Sequence, residues 1–63
     1  MELSEDETAV IRAITQEDMP VDEIIAKSGL GAAATLAALT MLEISGAVTR
    51  GEGKRYTRNV TVK

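Results

Sequence analysis

The 63-residue chain contains no cysteine and no histidine, and its aromatic content is a single tyrosine. Without cysteine it forms neither disulfides nor thiolate metal sites. Imidazole bases and thiolate nucleophiles are likewise excluded, and no serine has a histidine to activate it. Half of the ten carboxylates lie in turns that begin predicted helices, where capping explains them. The composition therefore predicts a non-catalytic protein with no metal and no cofactor.

Long apolar runs are also missing from the sequence. No stretch approaches the roughly 20 apolar residues that a membrane span needs, and no basic-then-apolar leader opens the chain. We therefore expect a cytoplasmic protein with no membrane partner. A hydrophobic fraction of 44% and a charged fraction of 27% favour a folded chain over a disordered one. The length allows one small domain, residues 1–63.

Charge is unevenly distributed along the chain. Residues 1–49 carry nine acids against Arg12 and Lys27, a net charge of −7, whereas residues 50–63 carry five cations against Glu52, a net charge of +4. An acidic body with a basic tail favours an interaction surface at the C-terminal end. The alternative is a solvated hairpin whose charge only maintains solubility.

The first two helices are predicted from their ends. Ser4 and Glu7 have the S-x-x-E spacing of a capping box, and apolar residues recur at helical spacing after it, which predicts a helix over residues 5–15. Residues 16–20 end in a proline and form a connector. A second helix then runs to about Ser28, with two isoleucines pointing inward.

A third helix is predicted between glycines. Gly29 suits the left-handed position that ends the second helix, and Gly31 opens a helix over residues 32–45. Gly46 ends this helix in the same way as Gly29 ends the second. The buried stripe of the third helix is predicted to consist of Leu36, Leu39 and Leu42.

After the third helix the pattern changes to that of strands. Residues 47–50 and 54–58 read as two strands, and the Gly-Glu-Gly between them supplies a hairpin turn. Val48 and Tyr56 form the natural inward pair. The fold class predicted is therefore mainly α with a small β-hairpin, a winged helix-turn-helix of three helices plus a two-stranded wing.

One segment fits a second pattern. Gly29, Gly31 and Ala34 match the G-x-G-x-x-A form of a dinucleotide-binding fingerprint. That fingerprint requires a strand before the first glycine and another strand after the helix. The preceding residues 22–27 carry charges at helical positions, so the two glycines are interpreted as turn glycines.

Several stretches resemble the C-terminal winged-helix domain of the DNA-processing protein A (DprA/Smf) family. The resemblance begins with Pro20–Ile25 followed by Ser28-Gly29-Leu30. It continues in register through Leu36-Ala37-Ala38-Leu39, Leu42-Glu43, Gly46-Ala47-Val48 and Gly53-Lys54-Arg55-Tyr56. Gly31 departs from the pattern, because the family often has proline there.

This resemblance implies that the chain is the C-terminal domain of a longer protein. The family is known for a Rossmann-like central domain that binds single-stranded DNA and helps to load a RecA-type recombinase during natural transformation. None of that machinery lies in these residues. The partners implied are single-stranded DNA, the remainder of a DprA-like protein and a RecA-type recombinase.

Non-specific DNA contact is expected from the wing rather than from the third helix. Residues 32–45 contain no Arg, Lys, Asn or Gln to reach base edges, which disfavours a sequence-specific transcriptional regulator. Weak, salt-dependent contact with phosphates is the role predicted for four wing cations. These cations are Arg50, Lys54, Arg55 and Arg58. Tyr56, the one residue suited to base stacking, is predicted to be structural.

Protein interaction or self-association is the alternative function. The third helix offers a surface of small and polarizable side chains that lets another backbone approach closely. The residues predicted for this surface are Ala33, Ala37, Thr40 and Met41. The competing interpretation is that the alanines simply favour a helix, and that Met41 and Ile44 pack on the first helix.

Overall fold

The computed structural model describes residues 3–60 and shows three helices and three short strands. In chain order these are α1 (Glu5–Ala13), β1 (Met19–Pro20), α2 (Val21–Ser28), α3 (Ala32–Ser45), β2 (Val48–Gly51) and β3 (Arg55–Arg58). The domain measures 28 × 21 × 19 Å, with α1 packed on both α2 and α3. The predicted winged helix-turn-helix is confirmed.

The first helix begins with the predicted capping box. The amide of Glu7 donates to the Ser4 hydroxyl over 3.1 Å, and the amide of Ser4 donates to the Glu7 carboxylate over 2.9 Å. These bonds satisfy two amides that the start of a helix leaves without intrahelical partners. The helix ends at Ala13, two residues earlier than predicted, because Ile14 is extended and inserts its side chain into the core.

The turn between α2 and α3 uses two glycines in different backbone conformations. Gly29 is left-handed, with φ 72° and ψ 9°, as predicted for a helix end. Gly31 has φ 85° and ψ 165°, a region that is essentially restricted to glycine. Proline fixes φ near −65°, so it does not fit at position 31 in this conformation.

A buried hydroxyl pair ties the same turn together. The Thr35 side chain is completely buried, and its hydroxyl lies 2.9 Å from the Ser28 hydroxyl. The Ser28 hydroxyl also donates to the carbonyl of Ile25 and accepts a hydrogen bond from the amide of Leu30. Within residues 3–60 no buried side-chain nitrogen or oxygen lacks a hydrogen-bond partner. The end of α2 is thus fixed to the start of α3.

The core is almost entirely aliphatic. Its buried hydrophobic residues are Val10, Ile11, Ala13, Ile14, Met19, Ile24, Ala38, Leu39, Leu42, Ala47, Val48 and Tyr56. The prediction that Leu36 belongs to this core is wrong, since 45% of the residue is exposed. The buried side of α3 instead contains Thr35, Ala38, Leu39 and Leu42. No single helix within residues 3–60 is long and apolar enough to cross a membrane; α2 and α3 reach that length and composition only as a pair bent by 113°.

The sheet contains one strand more than predicted. Its order is β1-β3-β2, and both pairings are antiparallel. The segment interpreted as a plain connector thus ends in β1, in which Met19 pairs with Tyr56. The amide of Asp18 donates to the Thr57 hydroxyl over 3.0 Å, and the amide of Val21 donates to the Lys54 carbonyl over 2.9 Å. The wing is therefore joined to the helical body along its β3 edge.

Candidate interaction surfaces

The solvent side of α3 carries three large apolar side chains. Ile44 is 75% exposed, Met41 is 56% exposed and Leu36 is 45% exposed. Ala33 and Ala37 are exposed between them. The structure therefore contradicts the interpretation in which Met41 and Ile44 pack on α1. We define the α3 face as Ala33, Leu36, Ala37, Thr40, Met41 and Ile44.

The α3 face offers little to a DNA base. Thr40 is its only polar member, and the Thr40 hydroxyl donates to the Leu36 carbonyl over 3.0 Å within the same helix. Reading bases requires donors and acceptors aimed at the edges of base pairs, most often from Arg, Lys, Asn or Gln. The helix that reads bases in other winged helices is here an apolar surface.

Periodicity does not reveal this face in the sequence. All four residues predicted for the surface of α3, namely Ala33, Ala37, Thr40 and Met41, are exposed. Leu36 and Ile44 were missed as surface residues. The buried residues Thr35, Ala38, Leu39 and Leu42 do follow helical spacing. This stripe is hard to recognise in the sequence, because two of its members are a threonine and an alanine and most other residues of α3 are also apolar.

The four wing cations are all exposed, but they point in different directions. Arg50 lies directly opposite Tyr56 in the β2–β3 ladder, and Arg58 lies opposite Val48, so both arginines belong to the face of the sheet that carries the core residues. Arg55 directly precedes Tyr56 in β3 and therefore lies on the opposite face of the sheet. Its guanidinium donates to the Asp18 carbonyl over 3.2 Å. The cations predicted as one DNA-binding set therefore form no single row.

Two of the wing cations border the α3 face. Arg50 and Lys54 line a cleft of about 250 Å³ together with Leu36, Thr40 and Tyr56. Arg50 also lies 3.8 Å from the Glu43 carboxylate of α3, with 59% of the arginine side chain exposed. Exposed ion pairs of this kind stabilise by about 0.2–1 kcal/mol, so the guanidinium is easily redirected to another anion. Asp22 lines a neighbouring cleft with Lys54 and Leu36, so this border of α3 carries charges of both signs.

The opposite border of α3 is acidic. A groove of about 230 Å³ separates the start of α1 from α3 and is lined by Asp6 and Glu7 on one side and Ala34, Ala37 and Met41 on the other. Glu5 belongs to the same first turn of α1. Within residues 3–60 no three acids are arranged to hold a metal ion. The α3 face thus lies between an acidic edge at α1 and an edge of mixed charge at the wing.

A comparison with known protein families matches residues 1–54 to the family described as the DprA winged helix domain. The chain belongs to this family. The matched span extends from α1 to the wing turn and includes the whole α3 face, both borders of that face, Arg50 and Lys54. Comparison with curated proteins and with solved structures finds no match.

Membership in this family identifies the chain as a winged helix domain of the DprA type. The match supports a DprA-like accessory domain, and the resemblance that the sequence suggested is confirmed. Arg55 and Arg58 lie beyond the matched span, on β3. The structure places Tyr56 in the core with only 8% exposure, which agrees with its predicted structural role.

Proposed function

We propose that this domain is a non-catalytic docking module of a cytoplasmic DprA protein, and that its α3 face binds an apolar surface of another protein or domain. The observation that carries the proposal is the exposure of Ile44, Met41 and Leu36 on one side of one helix. A contiguous apolar face rimmed by charged residues is typical of a protein-interaction surface.

The energetics favour a modest association through this face. Complete burial of an Ile, Leu or Met side chain contributes about 1.5–3 kcal/mol, and these three side chains are already covered in part. Ala33 and Ala37 leave room for a partner backbone to approach closely. Association also costs rigid-body and side-chain entropy, so an affinity in the weak range follows. Such affinity suits a domain that is tethered to its partner within one protein.

Replacing Ile44 with glutamate should abolish association through α3. We expect amide chemical shifts of the α3 face to move when the chain is concentrated or when the central domain of a DprA protein is added. The Ile44→Glu variant should show no such changes in chemical shift, because it places a charge at a position that must be desolvated on binding. Ala26→Glu, at an exposed position of α2, is the control and should retain them. If the amide chemical shifts of α3 stay unchanged both when the chain is concentrated and when the central domain is added, the docking function is contradicted.

A second candidate function is weak contact with nucleic-acid phosphates through the wing. It is favoured by the placement of Arg50 and Lys54 beside the only polar side chain of the α3 face, Thr40. Stacking on bases adds nothing here, because the one aromatic ring is buried. The contact would therefore be electrostatic, independent of base sequence and opposed by the acidic body.

Single-stranded oligothymidine tests the wing. We expect binding at low salt that weakens as salt rises, with the logarithm of the association constant falling by about 0.7 per phosphate contacted for each unit of log salt concentration. The Arg50/Lys54/Arg55/Arg58→Ala variant should not bind. Lys27→Ala removes an exposed cation that lies outside the wing and should bind normally. Salt-insensitive binding, or binding retained without the four wing cations, would rule out this role. Fluorescence anisotropy measures the affinity of each variant for the oligonucleotide and the dependence of that affinity on salt.

A further inference from the structure

The side chains of this chain that a mild oxidant attacks are methionines. The sequence has no cysteine, histidine or tryptophan, and its single tyrosine is buried. Of its three methionines, the structure describes Met19 and Met41. Oxidation of sulfur therefore acts on thioethers alone, and the exposure of each thioether decides whether an oxidant reaches it.

Met19 and Met41 lie at opposite extremes of exposure. Met41 is 56% exposed on α3, whereas Met19 is 0% exposed. The Thr15 hydroxyl donates to the Met19 sulfur over 4.0 Å. Because Met19 belongs to the core, its sulfur meets a dissolved oxidant only when the domain opens. A mild oxidant therefore selects Met41 over Met19.

Met41 occupies the middle of the α3 face. Ala37 precedes it by four residues and Ile44 follows it by three, which are the spacings that make side chains neighbours on a helix. The thioether is apolar and adaptable, which suits a docking contact. The hydroxyl of Thr40 donates to the Leu36 carbonyl, and the other members of the face are apolar. An oxygen added to the Met41 sulfur therefore finds no free donor within the α3 face.

We propose that Met41 is a redox-sensitive switch of the α3 face. Oxidation of its thioether to the sulfoxide by a peroxide releases the docked partner, and enzymatic reduction of the sulfoxide restores docking. This inference rests on the docking function proposed above and adds the regulation of that same surface.

The chemical step needs only the thioether and the peroxide. The Met41 sulfur attacks one oxygen of hydrogen peroxide, and the O–O bond breaks as the S–O bond forms. The transferred oxygen loses its proton, and the leaving hydroxide takes up a proton to become water. Sulfur gives up two electrons and the peroxide accepts them. Methionine sulfoxide reductases reverse the change, with a thiol as the reductant, and release the oxygen as water.

The sulfoxide opposes docking because docking removes water from the α3 face. Its oxygen is a polar acceptor, and burial of such a group without a hydrogen-bond partner is unfavourable. We expect docking to weaken by about tenfold or more. The fold should persist, since Met41 lies outside the core and its oxidation places no polar group there. Oxidation of Met41 therefore acts on binding rather than on folding.

Peroxide treatment followed by peptide mapping tests the selectivity. Trypsin cuts after Arg12, Lys27 and Arg50, so the three methionines fall on separate peptides, residues 1–12, 13–27 and 28–50. Mass spectrometry should find one added oxygen on peptide 28–50 while peptide 13–27 remains unmodified. Met41 should react at least about a hundredfold faster than Met19 in the folded chain, and the two should react alike in urea. Similar rates in the folded chain overturn the inference.

The effect on docking is measured on the same samples. The amide chemical shifts of α3 are titrated with the central domain of a DprA protein before peroxide, after peroxide, and after treatment with methionine sulfoxide reductases. The dissociation constant should rise by about tenfold or more and then return to its starting value. The loss should follow the sulfoxide fraction of peptide 28–50 and not that of peptide 1–12. Unchanged docking after oxidation, or no recovery after reduction, overturns the switch.

Met41→Leu is the matched control, because it removes the sulfur and nearly conserves the volume. Whatever affinity this variant has for the central domain, peroxide should leave that affinity unchanged. A loss caused by peroxide in Met41→Leu places the effect at another residue and overturns the inference. Circular dichroism of the oxidised unmodified chain should match that of the untreated chain, and a loss of helix would show damage to the fold instead of a switch.

The outcomes separate this inference from the docking function. If the untreated chain shows no change in the α3 shifts with the central domain, the docking function fails and the switch fails with it. If the untreated and the oxidised chains dock equally well, the docking function is supported and the switch alone fails. Docking that is lost with the oxidation of Met41 and regained on reduction supports both.

Discussion

Replacing Leu39 with alanine should leave much of the domain unfolded at room temperature. Leu39 is completely buried near the middle of α3, in a core made of few and mostly small aliphatic side chains. A buried Leu→Ala substitution costs about 2–5 kcal/mol, through lost transfer free energy and the cavity that remains. A core of this size rarely supplies more than about 3–5 kcal/mol of net stability. One substitution therefore removes most of it.

Urea and thermal unfolding followed by circular dichroism measure this loss. Ile44→Ala is the matched control, because it truncates an aliphatic residue of the same helix that is 75% exposed. Its unfolding free energy should change by less than about 0.5 kcal/mol, as is usual for surface substitutions. Equal losses in the two variants would contradict the orientation of α3 described above.

Replacing Gly31 with asparagine should cost about 1–3 kcal/mol, whereas Gly29→Asn should cost much less. A Cβ atom at either position meets no heavy atom within 4 Å, so steric contact with the rest of the fold does not distinguish the two glycines. The backbone does. Gly29 is in the left-handed region that asparagine tolerates, but Gly31 has ψ 165° at positive φ, where side chains other than hydrogen are strained.

The melting temperatures of the two asparagine variants provide the measurement. For a domain of this size, each kcal/mol lowers the melting temperature by about 4–8 °C. The Gly31→Asn variant should therefore melt clearly below the Gly29→Asn variant. A similar melting temperature for both would show that the backbone at residue 31 relaxes without cost, and the turn between α2 and α3 would then be less constrained than its dihedral angles indicate.

Local signals in the sequence are sufficient to predict the helices. The Ser4–Glu7 capping box, Gly29 and Gly46 each act within a few residues, and each is observed where it was predicted. Strand β1 has no such signal, because a two-residue strand exists only through its pairing with β3. The burial of Thr35 likewise depends on the Ser28 hydroxyl across a turn. These features come from tertiary contacts, which no short window contains.

The interaction surfaces were predictable in part for a similar reason. The order of residues in the sequence alone places the cations in the wing, and it shows that α3 lacks base-reading side chains. The directions in which Arg50 and Arg55 point depend on the strand register, and the exposure of Ile44 depends on which side of an apolar helix meets the core. Because α3 is apolar almost all round, its pattern favours neither side strongly.

The wing cannot be deleted as a neutral appendage. Truncation before Val48 would remove two hydrogen-bond acceptors. The Val21 amide would lose the Lys54 carbonyl, and the Asp18 amide would lose the Thr57 hydroxyl. It would also uncover Met19, whose side chain is now completely shielded. A wingless chain that fails to bind DNA or a protein partner would therefore report a damaged helical body. Replacement of single side chains is the sound way to assign a role to the hairpin.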